Sequence, residues 1–236
     1  MNFILYALAH TFIVIPLILG YNLVFGKGKI LHFGQEGISI VAAYAVWIPV
    51  MQYGLPLPIG IAIGTVLSIC TALFLAWLSF RLDADGLGVM SIALHLALLA
   101  VVLNWQSLTR GALGIPRIPR PEVIKNLWSF TIVTGIIAAI WTIFIYKLDR
   151  SKFGRALTAL AEDKEHAESL GIQRVKIHTI AFVIAGLGCV ISNTLYPTSI
   201  YLLSPSDYGF PFMIFFIMIV IAGGPGRVWG VVVATF

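Results

Sequence analysis

Seven apolar stretches follow one another along this chain and constrain its fold more than any other feature: Phe3–Phe25, Ile38–Tyr53, Leu57–Phe80, Leu87–Leu103, Trp128–Tyr146, Ile177–Tyr196 and Phe210–Gly223. Crossing the hydrocarbon of a bilayer takes about 20 apolar residues in a helix. The second, fourth and seventh stretches are shorter, so tilt, a break or partial insertion is expected of them. Only 11% of the residues are charged, against about 25% in soluble domains. Backbone polar groups in lipid must be satisfied within the segment, which leaves helices as the solution for runs of this length. The expected fold is therefore all-α: a polytopic transmembrane bundle of about seven spans forming one domain, residues 1–236.

The N-terminal stretch Asn2–Phe25 has no basic region ahead of it and no small-x-small cleavage site, so it is expected to span rather than to be removed as a signal peptide. The net charge of +5 is spread between apolar runs, where basic residues orient helices, and no nucleic-acid partner is expected. Cys70 and Cys189 each lie in an apolar run and carry no disulfide or compartment signal. No metal-ligand spacing is present.

One interval breaks the pattern. From Lys147 to Lys176 lie seven of the fifteen Lys/Arg and five of the ten Asp/Glu, so this is the segment available to a partner in water. Ser151 is a plausible N-cap for a helix Lys152–Ala161. Asp163 can cap a second helix ending at Leu170, with Gly171 as its left-handed terminator. Ala156, Leu160, Ala167 and Leu170 form an apolar stripe, while Arg155, Glu162, Glu165 and Glu168 leave a polar surface. Such a helix can lie on a bilayer or dock on a protein. Its near balance of charge favours protein, because anionic lipid would select a basic excess.

With this loop in the cytoplasm, eleven Lys/Arg fall on the inner side and four (Arg110, Arg117, Arg120 and Lys125) on the outer, which places the N-terminus outside. The outer loop Asn104–Leu127 is stiffened by Pro116, Pro119 and Pro121. It suits either a docking surface or a plain connector.

Between the first two spans, Gly26–Gly37 is too polar to cross lipid unprotected. It reads either as a short cytoplasmic turn or as a helix break lining a pathway, with Asn22, Gln35 and Ser39 beside it. Gly26-Lys27 resembles the end of a phosphate-binding loop, but Tyr21 and Gly28 stand where that loop needs Gly and Ser/Thr. Gly60, Gly64 and Ser68 recur every four residues on the third span and suit close helix packing within the bundle. His10 and His95 sit inside spans and are candidate functional groups. No buried Asp, Glu, Lys or Arg is expected in a span, which weighs against proton coupling. His95 with Ser91 one turn away is the nearest approach to a catalytic pair. With no third group or oxyanion site, an intramembrane enzyme is disfavoured.

Glu165-His166-Ala167, three residues, then Gly171 resembles the EAA-x-x-x-G signature of ABC importer permeases. The longer run GRALTALAEDKEHAESLGI, Gly154–Ile172, is similar to the form found in permeases of the branched-chain amino acid type. Leu19–Tyr44, Leu103–Pro121 and Leu203–Gly230 resemble that family's first block, external loop and closing glycine motif, in the same order.

The resemblance implies a permease subunit of an inner-membrane, ATP-driven importer with no cofactor of its own, ATP-Mg being held by partner ATPase subunits. It also implies a second permease, identical or homologous, an extracytoplasmic solute-binding protein and surrounding lipid. Within the loop 147–176 it makes the segment around Glu165–Gly171 the coupling helix, so Gly154, Arg155, Leu160, Glu162, Asp163, Glu165, Ala167, Leu170 and Gly171 are the candidate ATPase-coupling residues. Asn22, Gln35, His95 and Asn104 are candidates for the solute route. Arg110, Arg117, Arg120 and Asp207 would face the binding protein. His166 departs from the signature's Ala. Members of the family usually continue with hydrophobic sequence beyond the glycine motif, so the chain ending at Phe236 is expected to be either a fragment or a C-terminally short form. The alternative is a channel or ion-coupled carrier working without ATP. The solute is not legible in the sequence.

Overall fold

The computed structural model describes residues 2–236. Its elements are helices α1 (Asn2–Tyr21), α2 (Gln35–Tyr53), α3 (Leu57–Arg81), α4 (Ala84–Asn104), the short α5 (Gln106–Thr109), α6 (Leu127–Asp149), α7 (Lys152–Glu162), α8 (Lys164–Ser169), α9 (Arg174–Ile200), α10 (Phe210–Gly223) and α11 (Val228–Thr235). One small antiparallel pair joins β1 (Ile115–Pro116) to β2 (Leu202–Leu203).

Among the described residues, five helices are long and apolar enough to cross a membrane: α1 with its extension to Lys27, α3, α4, α6 and α9. The chain is thus an all-α membrane helix bundle. The other two expected spans correspond to α2 and the 14-residue α10.

α1, α2 and α9 form the centre, where Trp47, Tyr21 and Phe182 are fully buried. α3, α4, α6, α10 and α11 surround them and turn large apolar side chains such as Val66, Val89, Ile140 and Val233 outward, as helices in lipid do. Lipid offers little hydrophobic drive for association, so close packing must hold the bundle. α3 meets α2 along its small residues: a Cβ on Gly60 would lie 2.8 Å from Val50 Cγ2, and one on Gly64 would lie 3.3 Å from the Ala42 carbonyl oxygen. Ser68 Oγ donates to the Gly186 carbonyl of α9 at 3.1 Å. The small-residue face is internal packing.

The glycine-rich segment is a break in the helix rather than a solvated turn. α1 continues as a π-helical turn, Asn22–Lys27, and the irregular backbone that follows is largely buried, with His32 fully so. Neighbours satisfy it: Tyr21 Oη donates to the His32 carbonyl at 2.8 Å, and Phe33 N–H donates to Ser91 Oγ at 2.8 Å. Such backbone is tolerated in a membrane protein only under that condition.

α2 then begins at Gln35, earlier than hydropathy places it, so Glu36 stands in its first turn and is 1% exposed. The expectation that no Asp, Glu, Lys or Arg is buried in a span is corrected by this residue, which the earlier start of α2 brings into the second helix. Window hydropathy assigns Gln35-Glu36-Gly37 to the loop, but tertiary packing encloses them. His178, at the base of α9, is a further buried histidine beside His95.

Candidate functional site

Three regions gather the candidate residues. The first is the α7–α8 element. Ser151 Oγ accepts from Phe153 N at 3.1 Å and Gly154 N at 3.5 Å, and donates to the Leu148 carbonyl at 2.6 Å. That hydroxyl starts α7 and ties it to the end of α6. A Cβ on Gly154 would lie 2.8 Å from the Leu148 carbonyl oxygen, so only glycine lets the chain fold back here. Gly154, Leu157 and Leu160, spaced by three, face inward. Leu157 reaches the helix break, where a Cβ on Gly28 would lie 3.2 Å from its Cδ1. Lys27, at the end of the π-helical turn, forms an ion pair with Asp149 and also donates to the Asp149 carbonyl at 3.0 Å.

Asp163 Oδ1 accepts from His166 N at 2.9 Å and starts α8, in which Ala167 is buried. Gly171, with φ +85°, ends it: its N–H donates to the Glu168 carbonyl at 2.9 Å, and Ile172 N–H donates to that of Ala167 at 3.1 Å. This is a left-handed helix terminus. Arg155, Glu162, Asp163, Glu165 and His166 are exposed. The expected apolar stripe is corrected in two places. In α7, Leu157 rather than Ala156 is buried with Gly154 and Leu160, and Leu170 is 71% exposed, because α8 has ended before it.

The second region is the outer loop. β1 pairs with β2, and Ile118 N–H donates to the Tyr201 carbonyl at 3.3 Å, so the loop is fastened to the turn after α9. Arg110 and Arg117 are exposed. Arg120 is half-buried and donates from Nε and Nη2 to the Thr198 carbonyl at 3.3 and 3.2 Å. Its guanidinium also lies 4.3 Å from the Phe130 ring centroid and 4.9 Å from that of Tyr201.

The third region is a cavity of about 300 Å³ lined by α1, the first turn of α2, α9, the 3-10 turn Pro205–Tyr208, α10 and α11. Its polar wall includes His10, Glu36, Asn193, Tyr196, Asp207 and Tyr208, and its apolar wall comes chiefly from α1 and α10. Asp207, half-buried in the 3-10 turn, has its carboxyl held above the usual range by desolvation, which outweighs hydrogen bonds from Ser206 and Tyr196.

The candidate route residues are dispersed. Asn22 Oδ1 accepts from Gly226 N at 2.9 Å, joining the π-helical turn to the glycine motif after α10. Gln35 Nε2 donates to Cys189 Sγ at 3.0 Å. His95 is fully buried against Gly37, where an added Cβ would lie 3.4 Å from His95 Cα. Asn104 is exposed and donates to the Ala100 carbonyl at 2.7 Å. None of these four lines the cavity just described. Ser91 accepts from Phe33 and donates to the Gly88 carbonyl, and neither ring nitrogen of His95 has a partner among the described residues, so no Ser–His pair forms.

Glu36, Asn193, Tyr196 and Tyr208 are the residues that sequence reasoning passed over. For Asn193 and Tyr196 the signal is present in α9, as polar groups recurring at Ser192, Asn193, Tyr196 and Ser199 on one helical face of an otherwise apolar span. Cys70 and Cys189 are both free thiols.

The model of the family described as "Branched-chain amino acid transport system / permease component" matches residues 3–236. The high-affinity branched-chain amino acid transport system permease protein LivM of Salmonella typhimurium is 26% identical over 95% of this chain and 59% of its own length; LivM of Escherichia coli gives the same values. The probable branched-chain amino acid transport permease protein LivH of Methanocaldococcus jannaschii is 24% identical over 81% of this chain and 64% of its own. The chain thus spans about three fifths of the length of these curated relatives. No solved structure matches it. A multi-pass helical bundle whose sequence meets that model from Phe3 to Phe236 belongs to the family of permease components of branched-chain amino acid transport systems.

Proposed function

We propose that this chain is the membrane-spanning subunit of an ATP-driven importer for branched-chain amino acids or a related small polar solute, working by alternating access. The match to the permease family along Phe3–Phe236 carries this reading. In it, seven helices enter an inner membrane, α2 and α10 incompletely or at a tilt. The N-terminus lies outside, because that arrangement leaves the basic residues in excess in the cytoplasm.

The α7–α8 element then meets the ATPase subunits, which hold ATP-Mg, through the exposed edge of Arg155, Glu162, Asp163, Glu165 and Leu170. Gly154, Leu160, Ala167 and Gly171 shape it. Its attachments support a lever. A push on α7 is transmitted to α6 through Ser151 and to the helix break through Leu157 and the Lys27–Asp149 pair. That break leads directly into the turn carrying Glu36. A second permease subunit, identical or homologous, completes the passage, and a solute-binding protein docks over Arg110 and Arg117.

The test is capture of the cognate ATPase together with solute uptake. Glu165→Arg reverses a charge on the exposed edge, and Gly171→Pro forces a φ near −65° where the chain needs +85°. Both variants are expected to lose ATPase binding and uptake together. Undiminished capture and uptake in both would remove the coupling role from this element.

The buried Glu36 favours one second reading, an ion-coupled carrier, since intramembrane carboxylates serve proton relays. That reading requires uptake in vesicles without any ATPase, collapsing with the ion gradient.

A further inference from the structure

The polar groups around the membrane cavity divide into those that are already partnered and those that are not. Ser192 Oγ accepts from Leu17 N at 3.1 Å. Tyr208 Oη donates to Asn193 Oδ1 at 2.7 Å, and Asn193 Nδ2 donates to the Cys189 carbonyl at 2.9 Å. His10 Nε2 lies 3.1 Å from Ser199 Oγ. Glu36 is different. It is 1% exposed, lines the cavity, and its Oε1 has no hydrogen-bond partner among the described residues. A buried acceptor left unpaired is costly, so such groups are normally satisfied.

The same cavity is also lined by Asp207, a second carboxyl group, and no Lys or Arg is among the lining residues. Two carboxyl groups with no fixed cation suit a ligand that donates N–H, and they repel one that presents a carboxylate to them. The remaining wall, from Ile13, Val14 and Leu17 on α1 and Phe212, Phe215 and Ile219 on α10, is apolar. A volume of about 300 Å³ is at the small end of ligand pockets and holds a short aliphatic group.

We infer that this cavity is a solute-binding site that takes a small molecule by its ammonium group, on Glu36 and Asp207, with an aliphatic portion packed between α1 and α10. The inference rests on the reading of the chain as a permease and gives that reading a place and a polarity: the nitrogen end of the solute is what the membrane subunit holds.

Three compounds separate the two ends of such a solute: leucine, 3-methylbutylamine, which lacks its carboxylate, and 4-methylpentanoate, which lacks its ammonium. The full chain, purified in nanodiscs, is titrated with each while its thermal unfolding is followed. Leucine and the amine are expected to raise the melting temperature saturably, since a ligand bound only by the native state stabilises it, while the acid leaves it unchanged. Glu36→Gln is expected to weaken the amine's half-saturating concentration at least tenfold. Asp207→Asn should weaken it in the same direction, and decides the matter if the first variant does not fold. An acid as effective as the amine, a wild type that responds to neither leucine nor the amine, or variants with unchanged midpoints would each overturn the site. ATP-driven uptake by the assembled complex is measured separately. Uptake without any shift in the chain removes the site and leaves the importer, whereas a shift without ATP-driven uptake does the reverse.

Discussion

Replacing Arg120 by alanine tests whether the outer loop is part of the fold or only a surface for a partner. Its guanidinium donates to the carbonyls of Thr198 and Ser199 at 3.2–3.4 Å, in the last turn of α9. The carbonyls there have no intrahelical donor, and a cation is favoured by the helix dipole. The bonds are long and the side chain is half-exposed, so the low end of the range for charged hydrogen bonds applies, about 1.5 kcal/mol. The two rings at 4.3 and 4.9 Å add about 0.5–1 kcal/mol. A loss of about 2–2.5 kcal/mol corresponds to a fall in melting temperature of about 4–10 °C for a chain of this size. Far-UV circular dichroism of the purified chain in detergent reads it directly. Arg117→Ala, at an exposed position of the same loop, should shift the melt by about 2 °C or less. Arg120→Lys should recover only part of the loss, because an ammonium is a point charge without the planar fork. If Arg120→Ala melts with the wild type yet loses uptake, the side chain serves a docking partner and the tie to α9 is not its work.

Gly64→Val places a side chain against the α2 backbone, where even a Cβ would lie 3.3 Å from Ala42 O and Val46 N; overpacking of this kind costs about 1–3 kcal/mol, visible in the same melt. Asn22→Ala leaves Gly226 N–H without the acceptor it holds at 2.9 Å and should cost about 1–3 kcal/mol, with protease sensitivity rising first near the glycine motif. Asp207, whose carboxyl is raised by desolvation in the folded state, favours the folded chain when protonated. The stability this contributes is complete below its unfolded value and is lost as pH rises through the folded one. Asp207→Asn should therefore flatten the wild type's fall in melting temperature across that acidic window; an unchanged slope would show that the carboxyl is not desolvated.

What the sequence makes legible is what local chemistry decides. Hydropathy finds Leu57–Phe80 where α3 runs Leu57–Arg81. Ser151, Asp163 and Gly171 announce the ends of α7 and α8 because capping is settled within a few residues. Glu36 is the opposite case. A Gln-Glu-Gly run reads as loop in any hydropathy window, and only distant residues bring it inside: Ala185 and Cys189 against Gln35, and His95 against Gly37. Arg120 is a like case, since an arginine in a proline-rich loop looks like free surface until Thr198, Phe130 and Tyr201 are placed around it. Helices declare themselves by composition, but the polar side of a cavity between helices is assembled from single residues on several of them, each a minority in its own apolar run. Glu36 and Asp207 are 171 positions apart, and nothing in the sequence pairs them before the fold sets both on one cavity.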